Sequence, residues 1–219
     1  MTLSRDIRAA IVAIVVFTIV LGLGYPLLIT GVSQVLFPGA ANGSQIKVGG
    51  KVVGSSLIGQ SFADIVTKNG KPVLVNGIAQ TTPDPRYFQS RPSATVPADN
   101  AAGTAFSNLG PNNVATEQAI AANVATYLQL NRPYVPGLTA ARTPVDAADS
   151  SASGIDPDIS LANAKIQAHR IAALRHLPLA QVDSLISTYT TGRSLGFFGE
   201  PGVNVLQLNL ALNRLTGGH

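Results

Sequence analysis

Three histidines, His169, His176 and His219, are the residues of this chain best suited to acid–base or metal chemistry. His169 and His176 are seven residues apart on a predicted helix, so they share a face but lie two turns, or about 10 Å, apart. That separation is too long for both imidazoles to bind one metal ion, and no carboxylate stands at the spacing of an HExxH site. We therefore expect solvated histidines and no metal site, with His219 at a disordered terminus.

Serine and carboxylate chemistry has as little support. A Ser/His/Asp set can be assembled from Ser107, His169 and Asp156, but the chain has no G-x-S-x-G nucleophile elbow. Asp156 and Asp158 stand in the GIDPD segment, a proline-containing turn ahead of a predicted helix. Carboxylates at a helix N-terminus interact favourably with the helix dipole, which explains them without catalysis. We predict no catalytic residue in this chain.

Nucleotide binding has one weak indication. The chain has no G-x-x-x-x-G-K-[ST] P-loop. Gly54–Gln60, with the sequence GSSLIGQ, loosely resembles the small-residue signature segment that touches nucleotide in ABC-type ATPases. A turn that follows a predicted hairpin explains the same residues equally well.

The bulk composition narrows the class of protein. Only 12% of the 219 residues are charged, and the net charge of +4 is spread along the chain rather than concentrated in a basic block. Nucleic-acid binding therefore has little support. Cysteine is absent, which excludes disulfides, thiolate metal sites and cysteine nucleophiles.

An apolar segment near the N-terminus, Ala9–Ile29, sets the organisation of the chain. Its 21 residues carry no charge, and as a helix they would be about 32 Å long, enough to cross a bilayer core of about 30 Å. A cleaved signal peptide is the rival interpretation. It is disfavoured because the apolar segment is longer than a signal h-region and Pro38 spoils the nearest cleavage site.

The charges around this segment predict its orientation. Arg5 and Arg8 precede it, and the next charge is Lys47. By the positive-inside rule the N-terminus is cytoplasmic, and everything after the span lies outside. We expect a cytoplasmic N-terminus at 1–8, a transmembrane helix with its extension at 9–37, and one extracytoplasmic domain at 38–219, in the periplasm of a cell with an inner membrane.

Tyr25-Pro26 interrupts the predicted span. Pro26 lacks an N–H and clashes with the carbonyl of Gly22, so it should kink the helix or end its regular part. Two interpretations stay open: a helix that loosens as it leaves the membrane, and a face shaped for a partner helix, which Gly22 and Gly24 would allow to approach closely.

The rest of the chain predicts an α+β domain. Gln45–Ser56 should form a hairpin around Gly49-Gly50, and Asp64–Gln80 another small hairpin. Thr81–Asn100 contains four prolines, which preclude regular structure, and we expect an ordered extended segment there.

Three helices are predicted from periodicity and capping residues. The first runs from Asn112/Asn113 to Leu130, the second from Ser160 to about His176, and the third follows Pro178. The apolar face of the second should comprise four residues: Ala162, Ile166, Ala173 and Leu174. Residues 203–215 are ambiguous between strand and helix, and we favour a short extended start followed by a helix.

Seven segments together resemble one family, the C subunit of the Kdp-type potassium-transporting P-type ATPase. In chain order they are Gly24–Leu27 (GYPL), Gly54–Phe62 (GSSLIGQSF), Tyr87–Ala94 (YFQSRPSA), Ser107–Asn112 (SNLGPN), Ala152–Ser160 (ASGIDPDIS), Gln167–Arg175 (QAHRIAALR) and Val203–Ala211 (VNVLQLNLA). The chain departs from the family pattern at Asp158, where histidine is usual, at Gly202, where arginine is common, and in a variable insertion at Lys68–Gln80.

The resemblance implies an accessory subunit of an ATP-driven potassium uptake complex. Its partners would be a channel-like potassium-binding subunit, a P-type ATP-hydrolysing subunit and a small single-span subunit, in a heterotetramer. The family is described as a catalytic chaperone that raises the ATP affinity of the hydrolysing subunit. Gln60 would then make a transient ATP contact, with no cofactor bound stably, although Arg5 and Arg8 place Gln60 outside the cell. An assembly or pore-capping role fits that topology better.

Six residues of the matched segments are the candidate partner or motif residues: Tyr25, Pro26, Arg91, Asn108, Asp156 and Asn204. The polar ones stand beside Pro or Gly or at a helix start, where local hydrogen bonds are needed, so an internal structural role is favoured over partner contact. Two alternatives of other classes remain, a membrane-anchored periplasmic hydrolase and a solute-binding module.

Overall fold

The computed structural model describes residues 3–75, 77–105 and 108–217, and its chain divides into two compact units, residues 1–55 and 56–219. Ser107 and His219, two of the residues considered for chemistry, lie outside the described residues. The architecture is α+β with one N-terminal apolar helix, as expected from the sequence.

Unit 1 begins with a helix that runs from Leu3 to Leu36. It comprises α1 (Leu3–Phe17), a π-helical segment (Thr18–Gly24) and α2 (Tyr25–Leu36), and its large apolar side chains are exposed along its whole length. Its 34 residues correspond to about 51 Å, more than a bilayer core requires. By length and composition it is a candidate membrane span, in agreement with the predicted anchor.

The helix continues through Pro26, but its regular α-helical part is interrupted next to Tyr25-Pro26, which is one of the two effects expected of this proline. The irregularity lies before the proline, where the N–H of Tyr25 donates to the carbonyl of Val20, five residues back. A π-helical turn is wider than an α-helical one, and it accommodates the ring and missing donor of Pro26 without ending the helix.

A hairpin follows the short helix α3 (Pro38–Ala41). Strands β1 (Gln45–Val48) and β2 (Lys51–Ser55) are antiparallel, and Val48 is opposite Lys51. The two turn residues, Gly49 and Gly50, have φ values of +57° and +80°. A two-residue turn with two positive φ angles favours glycine, so the predicted hairpin and its turn are confirmed.

Unit 2 opens with three small antiparallel ladders. Strand β3 (Ala63–Ile65) pairs with β8 (Thr81–Pro83). Between them lie two hairpins: β4 (Thr67–Lys68) with β5 (Lys71–Pro72), and β6 (Leu74–Val75) with β7 (Ile78–Ala79). The sequence predicted one hairpin here and no regular structure from Thr81, and both predictions are corrected. A two-stranded ladder has only edges, which is why it tolerates Pro83.

Among the described residues of unit 2, five α-helices follow: α4 (Val114–Asn131), α5 (Val145–Ala148), α6 (Leu161–Arg175), α7 (Leu179–Thr188) and α8 (Val205–Leu215). Three of them have side-chain N-caps, from Asn113 on α4, Ser160 on α6 and Asn204 on α8, with N–H to oxygen distances of 2.8–3.1 Å. These caps confirm the predicted helix starts.

A three-stranded antiparallel sheet joins the helices. It comprises β9 (Asp158–Ser160), β10 (Thr190–Thr191) and β11 (Gly202–Asn204), in the order β10–β11–β9. The sequence prediction for residues 203–215, a short extended start followed by a helix, is confirmed by β11 and α8. Strands β9 and β10 were not predicted, because three and two residues are too short to show an alternating pattern.

The main core of unit 2 lies between α6, α7, α8 and the sheet, around Phe88, Ile171, Val182 and Leu208. The predicted apolar face of α6 is wrong, because Ala162 and Ala173 are exposed. The buried face instead comprises Asn163, Ala164, Gln167, Ala168, Arg170, Ile171 and Ala172. Three of these seven residues are polar, so a search for apolar periodicity selects the wrong stripe of the helix.

Candidate functional site

The extended segment at residues 84–94, which we call the strap, lies against α6 and α8. Phe88 is fully buried, and its N–H and carbonyl bond the side-chain amide of Asn209, both at 2.9 Å. The N–H and carbonyl of Gln89 bond the amide of Gln167 in the same way, at 2.8 and 3.0 Å. Two side-chain amides thus satisfy consecutive backbone groups of the strap, as a neighbouring strand would.

Arg170 of α6 is fully buried and bonds the backbone of the strap. Its guanidinium donates to the carbonyls of Pro85 and Tyr87, to Oδ1 of Asn131 at 3.0 Å, and to Oε1 of Gln167 at 2.8 Å. All four acceptors are neutral. Burial lowers the pKa of Arg170 to about 10, an effect partly opposed by Tyr127 and two other groups, so the side chain remains charged at neutral pH.

Arg175, one turn further along α6, holds the exposed side of the strap. Its guanidinium carbon lies 4.5 Å from the centroid of the Tyr87 ring, and its Nε donates to the carbonyl of Arg86 at 2.9 Å. The Tyr87 ring also stacks on the ring of Phe62, and the two centroids are 5.3 Å apart. The Tyr-Phe pair of the matched YFQSRPSA segment is therefore used inside unit 2.

A second polar cluster links α4, α5 and α6. Asp146 accepts from the N–H and hydroxyl of Ser160, both at 2.8 Å, and from the amide of Asn163 at 3.0 Å. The Tyr127 hydroxyl donates to Asn163 at 3.0 Å. Burial, reinforced by the charge of Asp146, raises the pKa of Tyr127, so this hydroxyl stays a neutral donor.

Arg91 and Asp156, two of the predicted site residues, form an ion pair. Arg91 Nη1 lies 3.2 Å from Asp156 Oδ2, and Nη2 donates to the Ser150 carbonyl at 3.4 Å. Asp156 Oδ1 accepts the N–H of Asp158 at 3.1 Å. Within the described part of the chain, Arg91 Nε is buried without a hydrogen-bond partner. Both residues hold the 154–158 turn against the strap, in agreement with the favoured internal role.

Asn204 also makes internal bonds. Besides capping α8, its amide nitrogen donates to the Ser56 carbonyl at 2.9 Å and to Asp158 Oδ1 at 3.1 Å. Burial raises the pKa of Asp158, the bond from Asn204 opposes that effect, and the charge of Asp156 adds to it. A Cβ atom at Gly202 would lie 3.1 Å from the Cβ of Asp158. Asp158 and Gly202, the two residues at which the sequence was expected to depart from the family pattern, are thus direct neighbours.

The segment with the nucleotide-like pattern packs against the same turn. The N–H of Gly59 donates to the Ile155 carbonyl at 2.7 Å, and a Cβ at this position would lie only 2.7 Å from the Asp156 carbonyl oxygen. This close approach requires glycine. Gln60 is exposed, and its backbone carbonyl accepts from the Ser90 hydroxyl at 3.3 Å.

The remaining predicted residues lie apart from this cluster. Asn108 is exposed with φ +52°, a conformation that asparagine tolerates. Tyr25 and Pro26 belong to the helix of unit 1. His169 and His176 are both exposed, as expected, and the described residues contain no group of three or more metal-binding side chains.

A small cleft, about 210 Å³ in volume, opens between the strap, α4 and the β3–β8 ladder. Its polar lining includes Gln89, Arg91, Asp99, Asn163 and Gln167, and burial raises the pKa of Asp99 to about 6. The cleft is smaller than the usual 300–1,000 Å³ of small-molecule sites. Sequence reasoning missed it, because its lining comes from segments far apart in the chain.

One apolar helix long enough to cross a bilayer, followed by an α+β domain with a densely bonded strap, defines a candidate single-pass membrane protein. Residues 7–214 match the family model described as "KdpC: K+-transporting ATPase, c chain". The chain therefore belongs to the family of C subunits of the potassium-transporting ATPase.

Three relatives illustrate the likeness, and each is named "Potassium-transporting ATPase KdpC subunit". That of Methylococcus capsulatus is 46% identical over 95% of this chain and 97% of its own. That of Variovorax paradoxus is 44% identical over 96% and 97%, and that of Streptomyces coelicolor 42% over 97% and 94%. The resemblance seen in the seven sequence segments is thus confirmed.

Proposed function

We propose that this chain is a non-catalytic accessory subunit that assists assembly of an ATP-driven, high-affinity potassium uptake complex and supports ATP binding by its hydrolysing subunit. Its partners in this proposal are a channel-like potassium-binding subunit, a P-type ATP-hydrolysing subunit and a small single-span subunit. Membership of a family whose model covers residues 7–214, in a chain with one candidate span, is the observation that carries the proposal.

The chemistry of unit 2 supports an assembly role. Most charged and amide groups of the strap site bond one another or backbone groups. Asp156 bonds Arg91 and Asp158, and Asn204 bonds Ser56 and Asp158, whereas Arg91 Nε has no hydrogen-bond partner among the described residues. These bonds hold the strap and the 154–158 turn in place, which accounts for the polar groups without catalysis. The site maintains a shape, and a fixed shape is what a docking domain requires.

The proposed topology follows from the arginines before the span. With the N-terminus in the cytoplasm and residues 38–219 in the periplasm, unit 2 would dock at the outer side of the channel-like subunit and stabilise the assembled state. Protease added outside spheroplasts should then cut beyond Phe37. Full protection until the cells are lysed would reverse the orientation.

The ATP role is tested at Gln60. Gln60 is exposed, and its backbone carbonyl accepts the Ser90 hydroxyl, a bond that alanine keeps, so Gln60→Ala should leave unit 2 intact. If the subunit acts from the periplasm, the KM for ATP of the purified complex should change by less than about twofold, since exposed substitutions are usually near neutral. A large rise in KM with an unchanged melting temperature would instead support direct ATP contact.

Co-purification tests the proposal as a whole. From cells that express all four subunits, the tagged chain should retain the other three through solubilisation and affinity purification. A chain that purifies alone under these conditions would contradict the proposed function.

A further inference from the structure

An exposed apolar loop connects β10 to β11. We call residues 193–200 the tip. Its three large apolar side chains are mostly exposed: Leu195 is 83% exposed, Phe197 63% and Phe198 58%. Every residue from Thr191 to Glu200 is exposed, so the apolar side chains project from the domain. A cluster of exposed large apolar side chains is typical of an interaction surface.

Internal contacts connect the residues of the tip. The N–H groups of Ser194 and Phe198 each donate to the other residue's carbonyl at 2.9 Å, and the Phe197 and Phe198 rings touch, with centroids 4.1 Å apart. Arg193 Nη2 lies 2.8 Å from both carboxylate oxygens of Glu200, which closes the base of the loop. A preorganised apolar protrusion loses little conformational entropy when it docks.

The charge of the tip distinguishes between its possible occupants. Arg193 and Glu200 give it no net charge, and the Glu200 side chain is 80% exposed. Apolar surfaces that enter a bilayer are usually accompanied by basic residues, because inner-leaflet and bacterial lipids carry negative headgroups. An apolar protrusion with a neutral, ion-paired base instead suits a concave protein surface.

We propose that the tip inserts into an apolar groove on another subunit of the same transport complex. This inference rests on the proposed function, because it requires that the chain assembles with other subunits. The inference assigns the subunit contact to residues 193–200, which belong neither to the matched segments nor to the strap site.

Thiol accessibility tests the inference directly, because the natural chain has no cysteine. Phe197→Cys places one thiol at the tip, and Ala180→Cys, at an exposed position of α7, is the matched control. Maleimide labelling rates are measured for the full chain alone in nanodiscs that hold one copy, and for the assembled four-subunit complex. We expect the tip thiol to react at least about tenfold more slowly in the complex, after correction by the control.

Each other outcome has a defined meaning. Three results would overturn the inference. The first is equal reactivity in both states. The second is slow reaction already in the single-copy nanodisc, which would indicate lipid contact, and the third is slow reaction only when two copies share a nanodisc, which would indicate self-association. If Phe197→Cys fails to co-purify while the wild-type chain does, and its melting temperature is unchanged, the inference is supported. Failure of the wild-type chain to co-purify would instead contradict the proposed function.

Discussion

The strap site and the tip place their side chains in opposite ways. Around the strap, charged and amide side chains such as Arg170, Gln167 and Asn209 are fully buried. At the tip, Leu195 and two phenylalanines are exposed. The buried polar groups are bonded to backbone and amide partners of the same unit, so they specify the fold. Exposed apolar side chains lower the solubility of a protein, and contact with another molecule accounts for their position at the tip.

This difference separates residues that stabilise the fold of unit 2 from residues that would mediate assembly. Arg170, Arg175 and Gln167 all belong to the QAHRIAALR segment, and each bonds the strap. Loss of any of them should act through the stability of unit 2. Changes at the tip should act through assembly. Substitutions at buried and at exposed positions test this contrast between folding and assembly, and their expected effects on stability decrease in the order given.

Arg170→Met should cause the largest loss. Methionine fills much of the same space, but it removes the Arg170 donor from the carbonyls of Pro85 and Tyr87, from Asn131 Oδ1 and from Gln167 Oε1. The Tyr87 carbonyl and Gln167 Oε1 each keep a donor from Gln89. We expect the free energy of unfolding to fall by about 3–5 kcal/mol, because several buried acceptors lose a hydrogen bond and each unsatisfied one costs about 1–3 kcal/mol. Urea unfolding of the full chain in detergent, followed by circular dichroism, measures it.

Arg175→Met is the matched control for Arg170, since it keeps the same helix and residue type but loses a half-exposed guanidinium. It should cost about 1 kcal/mol. Equal losses for the two variants would show that burial of Arg170 is not what fixes the strap.

Gly59→Ala should have the next largest effect. The added methyl group would lie 2.7 Å from the Asp156 carbonyl oxygen, a backbone atom that cannot move without shifting the turn. Overpacking of this kind costs about 1–3 kcal/mol. Gly103→Ala, at a position with no heavy atom within 4 Å, should change stability by less than about 0.5 kcal/mol. A thermal shift assay of both variants compares them, and indistinguishable melting temperatures would contradict the packing described.

The pH dependence of stability should carry a contribution from Asp99. Burial raises its pKa from 3.8 to about 6, so between these values the folded state binds more protons than the unfolded state. Stability from this group therefore falls as pH rises from about 4 to about 6.

Asp99→Asn removes this contribution and should stabilise the chain at pH 7 by about 2 kcal/mol or less, since the side chain is half-buried. Exposed Asp149→Asn is the control and should leave the slope in place. Unfolding measured at several pH values would contradict the account if Asp99→Asn left the slope unchanged.

The sequence predicted the elements whose signals are local. The N-terminal apolar helix, the Gly49-Gly50 hairpin and the three capped helices each depend on neighbouring residues, and the structure has them. It did not predict the buried face of α6, because Asn163, Gln167 and Arg170 look like surface residues until the strap supplies their partners. Nor did it predict the tip or the cleft, whose properties arise from exposure and from segments distant in the chain.

The most direct test of this account compares folding with assembly in one double variant, Phe197→Ser with Phe198→Ser, expressed with all the other subunits. If unit 2 folds through the strap and assembles through the tip, the purified variant should keep the wild-type melting temperature within about 2 °C, because exposed substitutions change stability by less than about 0.5 kcal/mol. Its recovery with the other subunits should fall at least about tenfold. Wild-type recovery of the complex at an unchanged melting temperature would contradict the account.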